Sequence, residues 1–181
     1  MAVLDKIDML FKDKETTIAK DLKMNLKNLI DASSLDHTEA LLNILAISKA
    51  KNNAPLHEIA LSELEKQEGV TPEVIQEALE IPGIMGMMNT YYKFRHFVKN
   101  ADKSNEEPYG PAKLRMMSLA KPQMGKERFE MLAFSISLLN GCEQCVNAHE
   151  AALKKAGVDQ NKIHDLARLT AVTFATTQLF V

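Results

Sequence analysis

The residues that could do chemistry gather in one stretch, Phe129 to Glu150, FEMLAFSISLLNGCEQCVNAHE. Cys142 and Cys145, the only cysteines among 181 residues, stand in a C-x-x-C spacing, and His149 follows four residues after the second. Glu130 lies twelve residues before the first cysteine. It sits in an otherwise apolar region that runs on from Met131 to Leu139, where a carboxylate is costly unless something uses it. A thiol pair, an imidazole and a carboxylate are the parts of a redox dithiol site. A free thiol has a pKa of about 8.5, whereas the thiolate is the attacking species, so such a site needs a group that removes the proton. An activated thiolate attacks a peroxide oxygen to give a sulfenic acid, and a second thiol within reach condenses with it to a disulfide. An external dithiol then returns the pair by exchange.

These four side chains meet only if the chain reverses between them. Asn140-Gly141 separates two apolar helical patterns, and such a pair supplies the left-handed backbone that closes one helix before another opens. The second helix then begins at or near Cys142, with Cys142 and Cys145 on one face of its first turn and His149 one turn deeper. In an unbroken helix Glu130 would lie roughly 18 Å from Cys142. With the reversal, Glu130 runs back roughly 15 Å along one arm while His149 runs forward roughly 10 Å along the other, so the two can meet. Glu130 can then fix the tautomer of His149, and His149 can take the proton of Cys145. The helix N-terminus adds partial positive charge that favours a thiolate at either cysteine.

The rest of the chain is read as helical scaffold. Val3, Leu4, Ile7, Leu10 and Phe11 give one amphipathic stripe, and Ile18, Leu22, Leu26, Leu29 and Ile30 give another. Asp36 with Glu39 forms a capping-box pattern that opens a third helix, running to about Lys51. Pro55 starts a fourth, with Ile59, Leu61 and Leu64 on its stripe and an end at Gly69. Thr71-Pro72-Glu73 caps a fifth, which Pro82 is expected to end after Ile81. A sixth is expected over Pro82–Asn100, with the methionines of Ile84-Met85-Gly86-Met87-Met88 as core filler. Residues 100–111, with Pro108, Gly110 and Pro111, read as an exposed loop. The apolar run Leu169 to Val181 reads as a core helix. His96 reads as a surface or helix-end histidine, and His37, His57 and His164 likewise. Gly69 to Ile75 and Gly157 to Ile163 share the pattern G-V-x-x-x-x-I, and Glu39 precedes the first as Glu130 precedes the second. The offset is 91 residues at the glutamates and 88 at the glycines. A single domain over residues 1–181 is therefore expected, with repeat halves of about 36–100 and 126–181, only the second holding thiols.

Composition narrows the function classes. A 46% hydrophobic content marks a globular chain, and 22 basic against 24 acidic residues without long runs give no case for nucleic acid or an anionic membrane surface. The early charges Asp5, Lys6 and Asp8 argue against a secretory signal, and no uncharged run reaches the roughly 18 residues of a membrane span. A cytoplasmic location is expected. In a reducing compartment a C-x-x-C pair is catalytic or metal-binding rather than a permanent staple. A zinc half-site is the competing reading, although there is no second cysteine pair to complete four ligands. Inert buried cysteines, and a solvated Glu130, are the plain alternatives.

The stretch LNGCEQCVNAHE, with its upstream glutamate, resembles the alkyl hydroperoxide reductase D family, thiol peroxidases of the carboxymuconolactone decarboxylase-like superfamily. KDLKMNLKNLI near the start, IMGMMNTYYKFRHF in the middle and LRMMSLAKPQMGKERFEMLAFS before the cysteines resemble it too, so the likeness covers most of the chain. The resemblance implies an all-α multi-helix fold, typically a homotrimer, that reduces hydrogen peroxide and alkyl hydroperoxides with no bound cofactor or metal. It implies that Cys145 is peroxidatic and Cys142 resolving, with Glu130 and His149 as the proton relay. His149 is one turn from Cys145 and two from Cys142, which agrees with that order. It further implies electrons from dihydrolipoamide on a lipoyl-bearing acyltransferase, and a peroxiredoxin as a possible electron acceptor. Better known members carry histidine immediately before the second cysteine. Here that residue is Gln144, which cannot exchange a proton at neutral pH. Two alternatives accompany the peroxidase reading: a disulfide reductase that relays electrons to a peroxiredoxin, and a non-redox decarboxylase-like or binding protein on the same scaffold.

Overall fold

A computed structural model describes residues 2–102 and 109–180, and among these every regular element is helical. In chain order they are α1 (Val3–Leu10), α2 (Thr17–Asp31), α3 (His37–Ala50), α4 (Ala54–Leu64), α5 (Pro72–Asp102), α6 (Lys126–Leu139), α7 (Glu143–Lys155) and α8 (Gln160–Thr177), with a short 3-10 turn at Met117–Leu119. Two helices form the centre. In α3 every residue from Glu39 to Ser48 is buried, and in α6 every residue from Phe129 to Ser137. A helix apolar on all sides has no solvent face, so the amphipathic helices wrap around these two. α3 packs against α4, α5, α6 and α8, and α6 against α5, α7 and α8.

The helix starts follow the local chemistry of the sequence. Asp36 accepts from the Glu39 amide and Glu39 accepts from the Asp36 amide, each at 2.7 Å, closing the expected capping box. Thr16, Asn53 and Asp159 cap α2, α4 and α8 with side-chain oxygens. α4 ends at Leu64, short of Gly69, and turns lead to that glycine. Both helix pairs set beside each other in the sequence, α3–α4 and α6–α7, are followed by a left-handed glycine, Gly69 at φ 79° and Gly157 at φ 88°. Glu39 differs from Glu130 in its partners: one oxygen holds its own cap and the other meets Lys162 at 2.6 Å.

One expected boundary is overturned. Pro82 does not end a helix but sits inside α5, so the fifth and sixth helices of the sequence reading are one element. A proline in a helix interior lacks the amide for one ladder bond and crowds a carbonyl one turn back, a cost of about 3 kcal/mol in isolation. Here Ala78, Ile81, Met85 and Asn89 lie buried along one continuous face on either side of it, and that packing carries the helix through. α5 also extends to Asp102, so the loop expected from about 100 starts later, and its residues 103–108 lie outside the described ones. Met85 is fully buried, as a core filler would be. The buried side of α8 includes Leu169, Thr170, Thr173, Thr176 and Thr177, whereas Phe174 is partly exposed.

Candidate active site

The α6–α7 hairpin turns where the sequence places the turn. Asn140 ends α6, Gly141 adopts φ 63°, and Cys142 is the N-cap of α7. The Cys142 amide donates to the Ser137 carbonyl and the Gly141 amide to Leu138, each at 3.1 Å. This pair of bonds satisfies the last carbonyls of α6 and brings Cys142 to the first turn of the next helix within two residues. The Cys142 carbonyl then accepts from Val146 at 2.9 Å, the first ladder bond of α7.

The turn is held from outside by α5. The Asn140 side-chain amide donates to Asn89 Oδ1 at 2.9 Å, Asn89 donates to Ser137 Oγ at 2.9 Å, and Lys93 Nζ donates to the Asn140 carbonyl at 2.9 Å. Asn89 is buried, so each of these polar groups must find a partner, and together they fix the hairpin against α5. Cys142 and Cys145 are joined as a disulfide with Cα atoms 5.3 Å apart. Both are buried, at 1% and 7% exposure.

Glu130 and His149 meet across the hairpin. His149 Nδ1 lies 2.7 Å from Glu130 Oε2, and Lys126 Nζ lies 2.7 Å from Glu130 Oε1. Glu130 is 7% exposed and His149 is 8% exposed. Burial pushes the Glu130 carboxyl upward, but the hydrogen bonds and charge of His149 and Lys126 outweigh it and hold it below the usual carboxylate range. A carboxylate accepting from Nδ1 leaves Nε2 as the imidazole's free lone pair. His149 is one helical turn beyond Cys145 on the same helix. Such an arrangement can accept a thiol proton at one ring nitrogen while the carboxylate stabilises the imidazolium.

Of the five residues singled out in the sequence, Glu130, His149, Cys142 and Cys145 come together in this one hairpin. Gln144 is exposed, and its side-chain amide nitrogen lies 2.9 Å from Nδ1 of His96 on α5. His96 is the surface histidine the sequence suggests, but not a helix-end one. α5 continues to Asp102, and His96 lines a recess together with Cys142 and Gln144. No spacing in the chain links positions 96 and 144. The available signal was the stripe of Ile81, Met85 and Asn89, whose four-residue steps continue to Lys93 and bring His96 to the same side of α5 as the turn-holding residues. Among the described residues, no group of three or more His, Cys, Asp or Glu side chains is placed to hold a metal, and no helix is long and apolar enough to cross a membrane.

Residues 110–180, which contain the whole hairpin, match the carboxymuconolactone decarboxylase family. Across nearly its full length the chain is similar to "Alkyl hydroperoxide reductase AhpD" of Anaeromyxobacter dehalogenans (strain 2CP-1), with 34% identity over 175 residues, 97% of this chain and 89% of that protein. Its similarity to the protein of the same name from Coxiella burnetii (strain RSA 493) is 32% over 174 residues, 94% of this chain and 95% of the relative. For that of Maricaulis maris (strain MCS10) it is 34% over 164 residues, 91% of each chain.

Proposed function

Because the chain belongs to the alkyl hydroperoxide reductase AhpD family, we propose that it reduces hydrogen peroxide and alkyl hydroperoxides through a Cys142/Cys145 dithiol–disulfide cycle. Cys145 gives its proton to His149, and the thiolate attacks the outer peroxide oxygen. An S–O bond forms, the O–O bond breaks, and the departing alkoxide takes the proton from His149 and leaves as an alcohol. Cys142 then attacks the sulfenic sulfur, water departs, and the disulfide forms. The two electrons that reduced the peroxide have come from the two thiols. A dithiol such as dihydrolipoamide restores them by exchange, becoming a cyclic disulfide.

The observation that carries this reading is the 2.7 Å contact between His149 Nδ1 and Glu130 Oε2 inside the hairpin that holds both sulfurs. A buried carboxylate and imidazole oriented one turn from a thiol have a clear use as a proton relay and a high cost as mere packing. In this reading no cofactor is bound, the electron donor is a lipoyl-bearing acyltransferase, a peroxiredoxin can receive electrons from the pair, and the chain works in the cytoplasm as a homotrimer.

Pre-reduced protein mixed with an alkyl hydroperoxide tests the cycle. Wild type is expected to consume one peroxide per cysteine pair and lose both thiols. Cys145→Ser is expected to consume none, and Cys142→Ser to stop at a sulfenic acid that a dimedone-type reagent traps. Full peroxide consumption by Cys145→Ser would overturn the reading. Slow peroxide consumption by wild type, with fast exchange against dihydrolipoamide, would replace it with the electron-relay alternative.

A further inference from the structure

A recess of about 160 Å³ lies between α5 and the hairpin turn. Cys142 is among its lining residues and Cys145 is not. A thiol entering here is therefore brought beside Cys142, and neither Glu130 nor His149 is among the lining residues. Its small volume, equivalent to roughly five water molecules, suits a slender alkyl thiol.

The titratable groups lining the recess are Tyr92, Lys93, His96 and Glu143. Lys93 is engaged with the Asn140 carbonyl, and Glu143 is an exposed carboxylate in the first turn of α7. Of these four side-chain types, imidazole is the one that ordinarily accepts and returns a proton near neutral pH. Arg95 and Lys99 flank His96 along α5 as fixed cations.

The surroundings of His96 suit both of its protonation states. Nδ1 is 2.9 Å from Gln144 Nε2 and Nε2 is 2.9 Å from Asn100 Nδ2, so both amides are placed with their nitrogens toward the ring. A neutral imidazole has one donor and one acceptor, which two amides satisfy by presenting one oxygen and one nitrogen. An imidazolium has two donors, which the same amides satisfy by each turning its oxygen inward. With one amide turned the neutral ring keeps both hydrogen bonds, and with both turned the imidazolium does.

We propose that His96 is the general base for the incoming reductant thiol and the acid that reprotonates Cys142, so that the two sulfurs of the pair are served by separate histidines. This rests on the dithiol cycle above and adds the route by which it is reset. The first reductant thiol gives its proton to His96, and its thiolate attacks Cys142 Sγ. The Cys142–Cys145 bond breaks, Cys145 leaves with the electron pair, and His149, protonated from solvent, passes that proton to it and is left neutral. The second reductant thiol loses its proton to solvent and attacks the reductant sulfur held on Cys142. Cys142 leaves with its electron pair, takes the proton from His96, and the reductant departs as a cyclic disulfide. Two protons and two electrons pass from the reductant to the protein.

The test measures reduction of the preformed disulfide directly, with no peroxide present. Wild type and His96→Gln are oxidised with diamide and mixed with dihydrolipoamide at neutral pH, and thiol appearance is followed. We expect the variant to be about 100-fold slower. The deficit should shrink to about twofold with a small alkyl thiol already ionised at the assay pH, which needs no base. Added imidazole should restore part of the rate in His96→Gly. A His96→Gln rate within about twofold of wild type would overturn the proposal. An equal deficit for ionised and protonated thiols would also overturn it, because that is the signature of a merely structural role. Since this half-reaction is read without peroxide, absence of peroxide turnover in wild type would refute the proposed peroxidase function and leave the His96 result standing on its own.

Discussion

Replacing Glu130 with glutamine separates chemistry from architecture, because the two consequences differ greatly in size. The side chain keeps its shape and one oxygen that can accept from His149, but loses the charge that favours the imidazolium. A positioned proton-transfer group contributes about 10²- to 10⁴-fold to rate, so Glu130→Gln should slow sulfenic acid formation at Cys145 by at least about 10²-fold. The stability cost is far smaller. A bond from His149 to a carboxylate is worth about 1.5–3 kcal/mol, whereas its bond to a neutral amide is worth about 0.5–1.5 kcal/mol. The Lys126 contact adds under about 1 kcal/mol, because that lysine is 59% exposed. Removing a buried charge returns some of this, leaving a net loss of about 1 kcal/mol, or about 2–4 °C in Tm for a chain of this size. Because the folded carboxyl titrates below its usual range, its contribution is complete above the ordinary carboxylate pKa and disappears as pH falls through the depressed value. The Tm gap between wild type and variant should therefore close on acidification. Stopped-flow peroxide consumption and thermal melts over a pH series check both halves. A single-turnover rate within about threefold of wild type would remove Glu130 from the relay.

Two further outcomes rest on single residues. At Gly141 a methyl group would meet no atom within 4 Å, so Gly141→Ala carries only the backbone cost of φ 63°, about 1–2 kcal/mol, and Gly141→Asn should recover part of it. Denaturant midpoints check this, and an unchanged midpoint for alanine would refute the left-handed turn. Asp165 accepts from the amide and hydroxyl of Ser34 at 2.9 and 2.7 Å and pairs with Arg168 at 2.7 Å. Burial raises its pKa, but these partners outweigh that and hold the carboxyl low. Asp165→Asn should cost about 1–3 kcal/mol at neutral pH, a difference that vanishes as pH falls through the depressed pKa, and a gap that widens in acid would refute the sign.

What could be read from the sequence was what neighbouring residues decide among themselves. The capping box at Asp36 and Glu39, the left-handed Gly141 and the order Cys142, Cys145, His149 all lie within a turn or two of chain, where spacing alone fixes geometry. Glu130 was legible because a carboxylate among buried residues demands a partner, and the reversal at Asn140-Gly141 left His149 within reach. Pro82 was misread because a local rule was applied where packing of Ala78, Ile81, Met85 and Asn89 outweighed it. His96 was undervalued for the complementary reason. Its contact with Gln144 depends on how α5 crosses the hairpin, and nothing in the order of residues announces a crossing.

The uninterrupted α5 gives Pro82 a mechanical reach far beyond its neighbours. From Pro82 to His96 the helix runs for roughly 21 Å, so a change of about 5° in its bend would carry the imidazole sideways by about 2 Å. Core burial continues past Pro82 at Met85 and Asn89, and farther along Lys93 and His96 meet the hairpin turn and its recess. A substitution at this half-buried proline would thus act on the width of the recess beside Cys142 without altering any side chain that lines it.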